Sequence, residues 1–392
     1  MTCPDRWATV RAQMDVVRTK AAALTTKSNR AQLDAVRTAI ASEIAAQQDF
    51  ETACVLPPPE PSSNLLQPEN ISYLGSFTVP SGFEYGGTAI SVHHGSLFIV
   101  SGMSAAEVTI PGIGEPATFV QPLANLAEGA VVGTDVRIGG TLVVNGELWF
   151  TQYVYYDADG TQMLSHFRRP IDLSQTGQVQ GPFRVGPLGA GFYSGYLAAV
   201  PTSLQAVLGG PVLTGNCCLN IISRTSFGPA AFALDLPPSL GALSAYDLVY
   251  YPSDHPTLGP WNGVSEYFGG SDRITGLVVP DGFASVLFFG RHGTTFCYGG
   301  PECGDPTDPY QGVHGYPYES SVWAYRASDL ADVRQGLRPP YEVFPYARWV
   351  LPELAGSLVN GAAYDPTTQR IYVSRHKGDG DNPRIHVYQV TP

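Results

Sequence analysis

Residues 139–153 read GGTLVVNGELWFTQY: a glycine pair, a short apolar run, a turn, then an apolar and aromatic run. Two short strands joined by a tight turn fit that pattern. The unit recurs along the chain. Gly86-Gly87-Thr88-Ala89-Ile90-Ser91-Val92 is followed by SLFIVSG at 96–102, and Thr275-Gly276-Leu277-Val278-Val279 by SVLFFGRHG at 285–293. Asn360-Gly361-Ala362-Ala363-Tyr364 is followed by RIYVSRHKG at 370–378. A diverged copy, Ser194-Gly195-Tyr196-Leu197-Ala198-Ala199-Val200, has a weaker partner strand.

Each copy is trailed by further strand-like runs, among them AEVTIPG and ATFVQPL, AAFALD and YDLVYYP, SSVWAYRASDL and YEVFPYARWVL. Four strands per unit, repeated around an axis, predict a five-bladed β-propeller. Gly87, Gly140, Gly195, Gly276 and Gly361 suit innermost strands, where neighbouring blades crowd together. After the fifth unit the chain supplies one more strand, RIHVYQV at 384–390, and one strand, ISYLGSFTV at 71–79, precedes the first. Their pairing would close the ring over residues 71–392 and remove exposed edges. A β-sandwich with coincidental glycines is the alternative architecture.

Upstream, Trp7, Val10, Met14, Val17, Ala21 and Leu24 recur every three or four residues, and Leu33, Val36, Ile40, Ile44 and Phe50 do so less strictly. This predicts two helices within residues 1–54, joined by a polar turn at 25–29 as an antiparallel hairpin. Cys3 and Cys54 lie equally far from the turn, so a disulfide between them is expected. Two unrelated thiols, or a parallel coiled coil between chains, are the alternatives. So narrow a core calls for a partner, either copies of itself or a larger assembly. Residues 55–70, VLPPPEPSSNLLQPEN, read as a semi-rigid Pro-rich linker.

Residues 71–392 resemble a group of bacterial and phage-encoded five-bladed propeller-like proteins without an established activity. The resemblance rests on SYLGSFTVPSGFEYGGTAISV, CYGGPECGDP, HGYPYESSVWAYRASDLADVRQG and NGAAYDPTTQRIYVSRHKGDGDNPRIHVYQV. It implies the fold and transfers no functional residue.

Hydrophobic residues make up 44% and charged residues 14% of the chain, which excludes an intrinsically disordered protein. Residues 1–55 hold seven basic and six acidic side chains, leaving 15 basic and 28 acidic for the rest. A ring of that sign repels phosphate backbones, so nucleic acid is not an expected partner. No apolar run is long enough for a membrane span, and the first residues lack the apolar region of a secretory signal.

Cys297 and Cys303 flank a Gly/Pro-rich turn and could close a small loop. A bridge between the adjacent Cys217 and Cys218 would be strained, so both are expected as buried free thiols. Asp157 and Asp159, and Asp379 and Asp381, are spaced to share a calcium ion, although the same residues also make ordinary turns. Arg291-His292 and Arg375-His376 occupy equivalent positions after the second strand of two repeats, where a pocket for an anion or a sugar could form. The inner glycines are flanked by Tyr85, Ile138, Tyr193, Arg273 and Val359, with no recurring carboxylate. Nothing in the sequence calls for catalysis.

Disulfides without a secretory signal fit a particle that assembles in the cytosol and leaves by lysis. The leading expectation is therefore a non-enzymatic bacteriophage virion protein, its helical arm docked on the particle or on sibling chains. In that reading the propeller is displayed for decoration or adhesion to a host glycan. A lectin-like carbohydrate-binding propeller is the alternative, and a glycoside hydrolase the second.

Overall fold

The computed structural model describes residues 3–22, 24, 30–54, 64–219, 221–236, 242–300, 305–306 and 312–391. The chain divides into two compact units, residues 1–60 and 61–392.

The second unit is mainly β, five four-stranded antiparallel sheets arranged as the blades of a propeller. Blade 1 runs Ile90–His93, Ser96–Ser101, Ser104–Thr109 and Phe119–Asn125, and blade 2 runs Val136–Val144, Glu147–Val154, Leu164–Pro170 and Gln180–Arg184. Blade 3 is made of Leu197–Ala199, Val212–Thr214, Ala231–Leu234 and Ala245–Val249. Blade 4 is made of Arg273–Val278, Ser285–Gly293, Tyr318–Arg326 and Ala347–Val350, with a small ribbon, Cys297–Gly299 against Gly312–His314, inserted before its third strand. Blade 5 takes Val359–Asp365, Arg370–Asp379 and Asn382–Val390 from the end of the chain. Its outer strand is Ile71–Thr78, with Ile71 opposite Val390 and Thr78 opposite Arg384.

The first strand of each blade lies innermost, and these five strands neighbour one another around the axis. Glycine is required where they meet. A Cβ on Gly140 would sit 2.5 Å from the Gly195 carbonyl oxygen, and one on Gly276 would sit 2.6 Å from the Ala362 nitrogen. Both obstacles are backbone, which cannot swing aside as a side chain can.

Two expectations for outer segments are corrected. Residues 327–330, read as the end of a strand, belong to the helix Ala327–Arg334, whose Ala327, Leu330, Ala331 and Val333 are buried. In blade 3 the turn between the first two strands is replaced by a helix, Thr202–Leu208, ended by Gly209 at a φ of 97°. Left-handed backbone at that point is the common glycine stop of a helix.

The antiparallel alternation gives the ring two distinct faces. All five innermost strands begin at one mouth of the axis, termed upper here, and end at the lower one. The chain enters on the lower side: the Ala284 N–H donates to the Asn64 carbonyl at 2.9 Å, and Leu66 is wholly buried. Residues 64–70, expected within the linker, are thus packed on the ring.

The first unit holds two helices, Cys3–Ala22 and Arg30–Cys54. The structure does not support the expected hairpin. Of the stripe predicted on the second helix, Leu33, Ile40 and Ile44 are exposed, and it is the small Ala39 that is buried. The joining turn 25–29 and the side chains of Cys3 and Cys54 lie outside the described residues. Among the described residues no helix is long and apolar enough to cross a membrane.

Candidate functional site

Both mouths of the axis open into cavities. The upper one, of about 160 Å³, is bordered by the starts of inner strands at Thr88, Ile138, Gly195, Arg273 and Asn360. The ends of second strands add Tyr153 and Arg291, and a blade 3 loop adds Asn216, Cys217 and Leu219. The lower cavity, of about 550 Å³, is lined by strand ends and turns that include His93, His94, Asp281, Tyr364 and Asp365. Mid-axis, Gly139, Gly140 and Gly361 border a space of only about 10 Å³, room for a single water.

The upper cavity concentrates positive charge. Arg273 and Arg291 stand opposite each other in the register of blade 4, and both line it. The Arg291 guanidinium lies over the Tyr318 ring, 4.4 Å from its centroid, a cation–π contact that fixes its plane. Among the described lining residues there is no Asp or Glu. Two arginines at this mouth are the reverse of the ring's overall charge.

Neutral hydrogen-bonding groups complete the lining. Burial pushes the Tyr153 hydroxyl's pKa up, against the pull of Arg273 and Arg137, so it remains a phenol able to donate. Asn360 donates to the Gly86 carbonyl at 3.0 Å and lies 3.1 Å from His376 Nδ1. Burial, then the Lys377 charge, holds the His376 pKa down, leaving a neutral ring that can accept from Asn360. Asn216 is 5% exposed, yet its Nδ2 has no hydrogen-bond partner among the described residues. A buried amide left unpaired costs about 1–3 kcal/mol, a cost that a ligand acceptor would remove.

Beside Asn216, Cys217 and Cys218 are joined as a vicinal disulfide, which corrects the expectation of free thiols. Cys218 takes a φ of 68°, and this left-handed backbone lets neighbouring sulfurs meet. Cys297 is also disulfide-bonded, while Cys303 lies outside the described residues.

The repeat-equivalent residues separate by strand alternation. Arg291 reaches the cavity, whereas His292 turns away, with Nδ1 2.7 Å from Asp272 Oδ2. Asp272 also accepts from the N–H groups of Gly293 at 2.8 Å and Gly269 at 3.0 Å, so the pair pins a loop. Arg375 pairs in the sheet between Val359 and Arg384, and is not part of the lining. His376 acts at one remove, through Asn360.

The acidic turns stand on the upper side as well. Asp157 accepts from the backbone N–H of Thr161 at 2.9 Å and of Gln162 at 3.2 Å, which makes it a turn-former. Asp379 lies 3.8 Å from Arg384 and Asp381 3.6 Å from Lys377. Among the described residues, Asp159 among them, no group of three or more His, Cys, Asp or Glu side chains could hold a metal ion.

Sequence reasoning missed Tyr153, Asn216, Cys217 and Asn360 as lining residues. Arg273 stood out only as a flank of its glycine unit. Asn360 carried a comparable signal, immediately before its own glycine.

No family profile matches the chain, and no curated protein matches it. Among solved structures it is similar to the native arabinanase of Bacillus subtilis, at 10% identity over 81% of this chain and 96% of that one, with a TM-score of 0.41. A glycosyl hydrolase from Bacteroides ovatus matches at 10% identity over 85% and 95%, TM-score 0.39. A GH43_1 enzyme from Xanthomonas citri matches at 14% over 81% and 90%, TM-score 0.41. At these values no residue role is carried over.

These three are carbohydrate-cleaving enzymes by name, and the expectation of a phage structural protein is corrected accordingly. That expectation also leaned on a Cys3–Cys54 bridge outside the described residues.

Proposed function

We propose that the chain is a carbohydrate-binding propeller whose upper axial cavity takes an acidic saccharide. The observation that carries this reading is the lining itself. Arg273 and Arg291 supply positive charge, Asn216 a buried donor without a partner among the described residues, and Tyr153 a phenol. Arginine suits a planar uronate carboxylate, and amide and phenol groups suit ring hydroxyls. Exposed tyrosines stand on the same side of the ring: Tyr85 before an inner strand, Tyr156 after a second strand, and Tyr298 on the blade 4 ribbon. Such rings can stack on the apolar faces of sugars. Calorimetric titration with an oligogalacturonate and with a neutral oligosaccharide of equal length tests this. Preference for the acidic ligand supports the reading, and equal or absent binding of both refutes it.

A glycoside hydrolase reading attaches to the other mouth. Hydrolysis by the common route needs two carboxyl groups flanking one sugar bond. Asp281 and Asp365 both line the lower cavity, and burial pushes the Asp281 pKa up, the direction an acid catalyst needs. Release of reducing sugar that disappears in Asp281→Asn would favour this reading. No release from a panel of polysaccharides would retire it.

For residues 1–54 the reading is self-association. The exposed Leu33, Ile40 and Ile44 lie on one helix, and sibling chains would cover them. Light scattering on the full chain, with and without Ile40→Glu and Ile44→Glu, checks this through the loss of an oligomer.

A further inference from the structure

We propose that the Cys217–Cys218 disulfide is a redox-controlled wall of the upper cavity, oxidised in the binding state and opened by a dithiol reductant. The inference takes its ligand from the saccharide reading above and adds the regulation of that site.

Three of the five residues in the segment 215–219 line the cavity: Asn216, Cys217 and Leu219. The segment is fastened at both ends. The Gly215 N–H donates to the Tyr196 carbonyl at 3.3 Å, and the Cys218 N–H donates to the Ser226 carbonyl at 3.1 Å. Cys218 has a φ of 68°, a conformation that residues with a Cβ avoid. The disulfide is the covalent link holding that backbone turn, and the donor it serves is next to it. Asn216 Nδ2 is buried on the cavity without a partner among the described residues, so its aim depends on the path of this segment.

Reduction would release the turn. Cys218 is the half-buried member of the pair and Cys217 the buried one, so attack falls on Cys218 Sγ. A thiolate of the dithiol bonds to that sulfur, the Cys217–Cys218 bond breaks, and Cys217 leaves as a thiolate that takes up a proton. The second thiol of the reductant then displaces Cys218 and closes the reductant's own disulfide. Two electrons and two protons pass to the protein. Among the described residues, the charged groups lining Cys217's cavity are the guanidiniums of Arg273 and Arg291, which favour a departing thiolate. Once open, Cys218 relaxes toward ordinary negative φ, and Asn216 loses its fixed position.

The test titrates oligogalacturonate into the full chain as oxidised, dithiol-reduced and reoxidised protein, and into the Cys217→Ser/Cys218→Ser variant. A Cys297→Ser/Cys303→Ser variant controls for reduction elsewhere. The expected result is roughly five- to thirtyfold weaker binding in the reduced protein and the first variant, the equivalent of releasing one residue from left-handed backbone. Reoxidation restores affinity, and the control variant binds as the oxidised protein does. Equal affinity in all redox states overturns the proposal. Should the oxidised protein bind no oligogalacturonate, the saccharide reading fails by itself, and hydrogen exchange of the 215–219 amides decides the switch. Faster exchange on reduction supports it, and unchanged exchange overturns it.

Discussion

Replacing Arg273 by Ala isolates the electrostatic part of the proposed site. Arg273 lines the upper cavity opposite Arg291 in the blade 4 register, so its replacement removes one of the two guanidiniums on that lining. A hydrogen bond to a charged group contributes about 1.5–3 kcal/mol. At about 1.4 kcal/mol per tenfold, the loss in affinity for an oligogalacturonate is roughly ten- to hundredfold. A neutral oligosaccharide of equal length should lose less than about threefold, since the substitution removes no partner it uses. Arg137→Ala is the control: Arg137 is exposed, paired with Asp135 at 3.0 Å and outside the lining. Calorimetry at low and high ionic strength is the assay, because the wild-type affinity should fall with salt more steeply than that of the variant. Equal losses for acidic and neutral ligands, or the same loss in Arg137→Ala, would refute the reasoning.

Three further outcomes concern the scaffold. Gly276→Ala places a Cβ 2.6 Å from the Ala362 nitrogen, and should cost about 1–3 kcal/mol in urea unfolding, whereas Gly189→Ala, with its nearest atom at 3.9 Å, should be near neutral. Arg169 is buried and donates to the carbonyls of Asn125, Leu126, Leu173 and Gln175, so Arg169→Ala should cost about 3–5 kcal/mol in the same measurement. Burial, helped by Arg375 and Arg384, lowers the His386 pKa to about 4 from its usual 6.5. Between those values the unfolded chain binds more protons than the folded one. Stability is therefore full above pH 6.5 and falls as the pH drops toward 4, by about 3 kcal/mol from this group, and the slope should flatten in His386→Asn.

The fold was legible because the axis of a propeller writes itself into the sequence. Gly140 and Gly276 sit where a neighbouring backbone leaves no room for a Cβ, so the glycine-and-strand unit repeats wherever an inner strand runs. Blade 3 was harder to read, since the helix Thr202–Leu208 stands where the other blades have a turn. Its signals were Pro201 ahead and Gly209-Gly210 behind. Leu330 and Val333 of the second missed helix are apolar for packing and carry little to separate helix from strand in so short a segment.

The site was legible only in part. Arg291 was found through its repeat position, but the same argument chose His292, which alternation sends to the opposite face of the strand. Asn216 and Cys217 belong to a loop without a counterpart in other blades, and reach the cavity because Cys218 turns the chain with positive φ. That turn depends on a disulfide which local strain argued against. The apolar stripe of the second helix misled in another way: periodicity marks an amphipathic face without saying whether the same chain covers it.

The most direct measurement is a crystal structure of the full chain with a bound trigalacturonate. Density is expected in the upper cavity, with a uronate carboxylate against Arg273 and Arg291 and a ring oxygen or hydroxyl accepting from Asn216 Nδ2. Density confined to the lower cavity beside Asp281 and Asp365, or an upper cavity without ligand at saturating concentration, would contradict it.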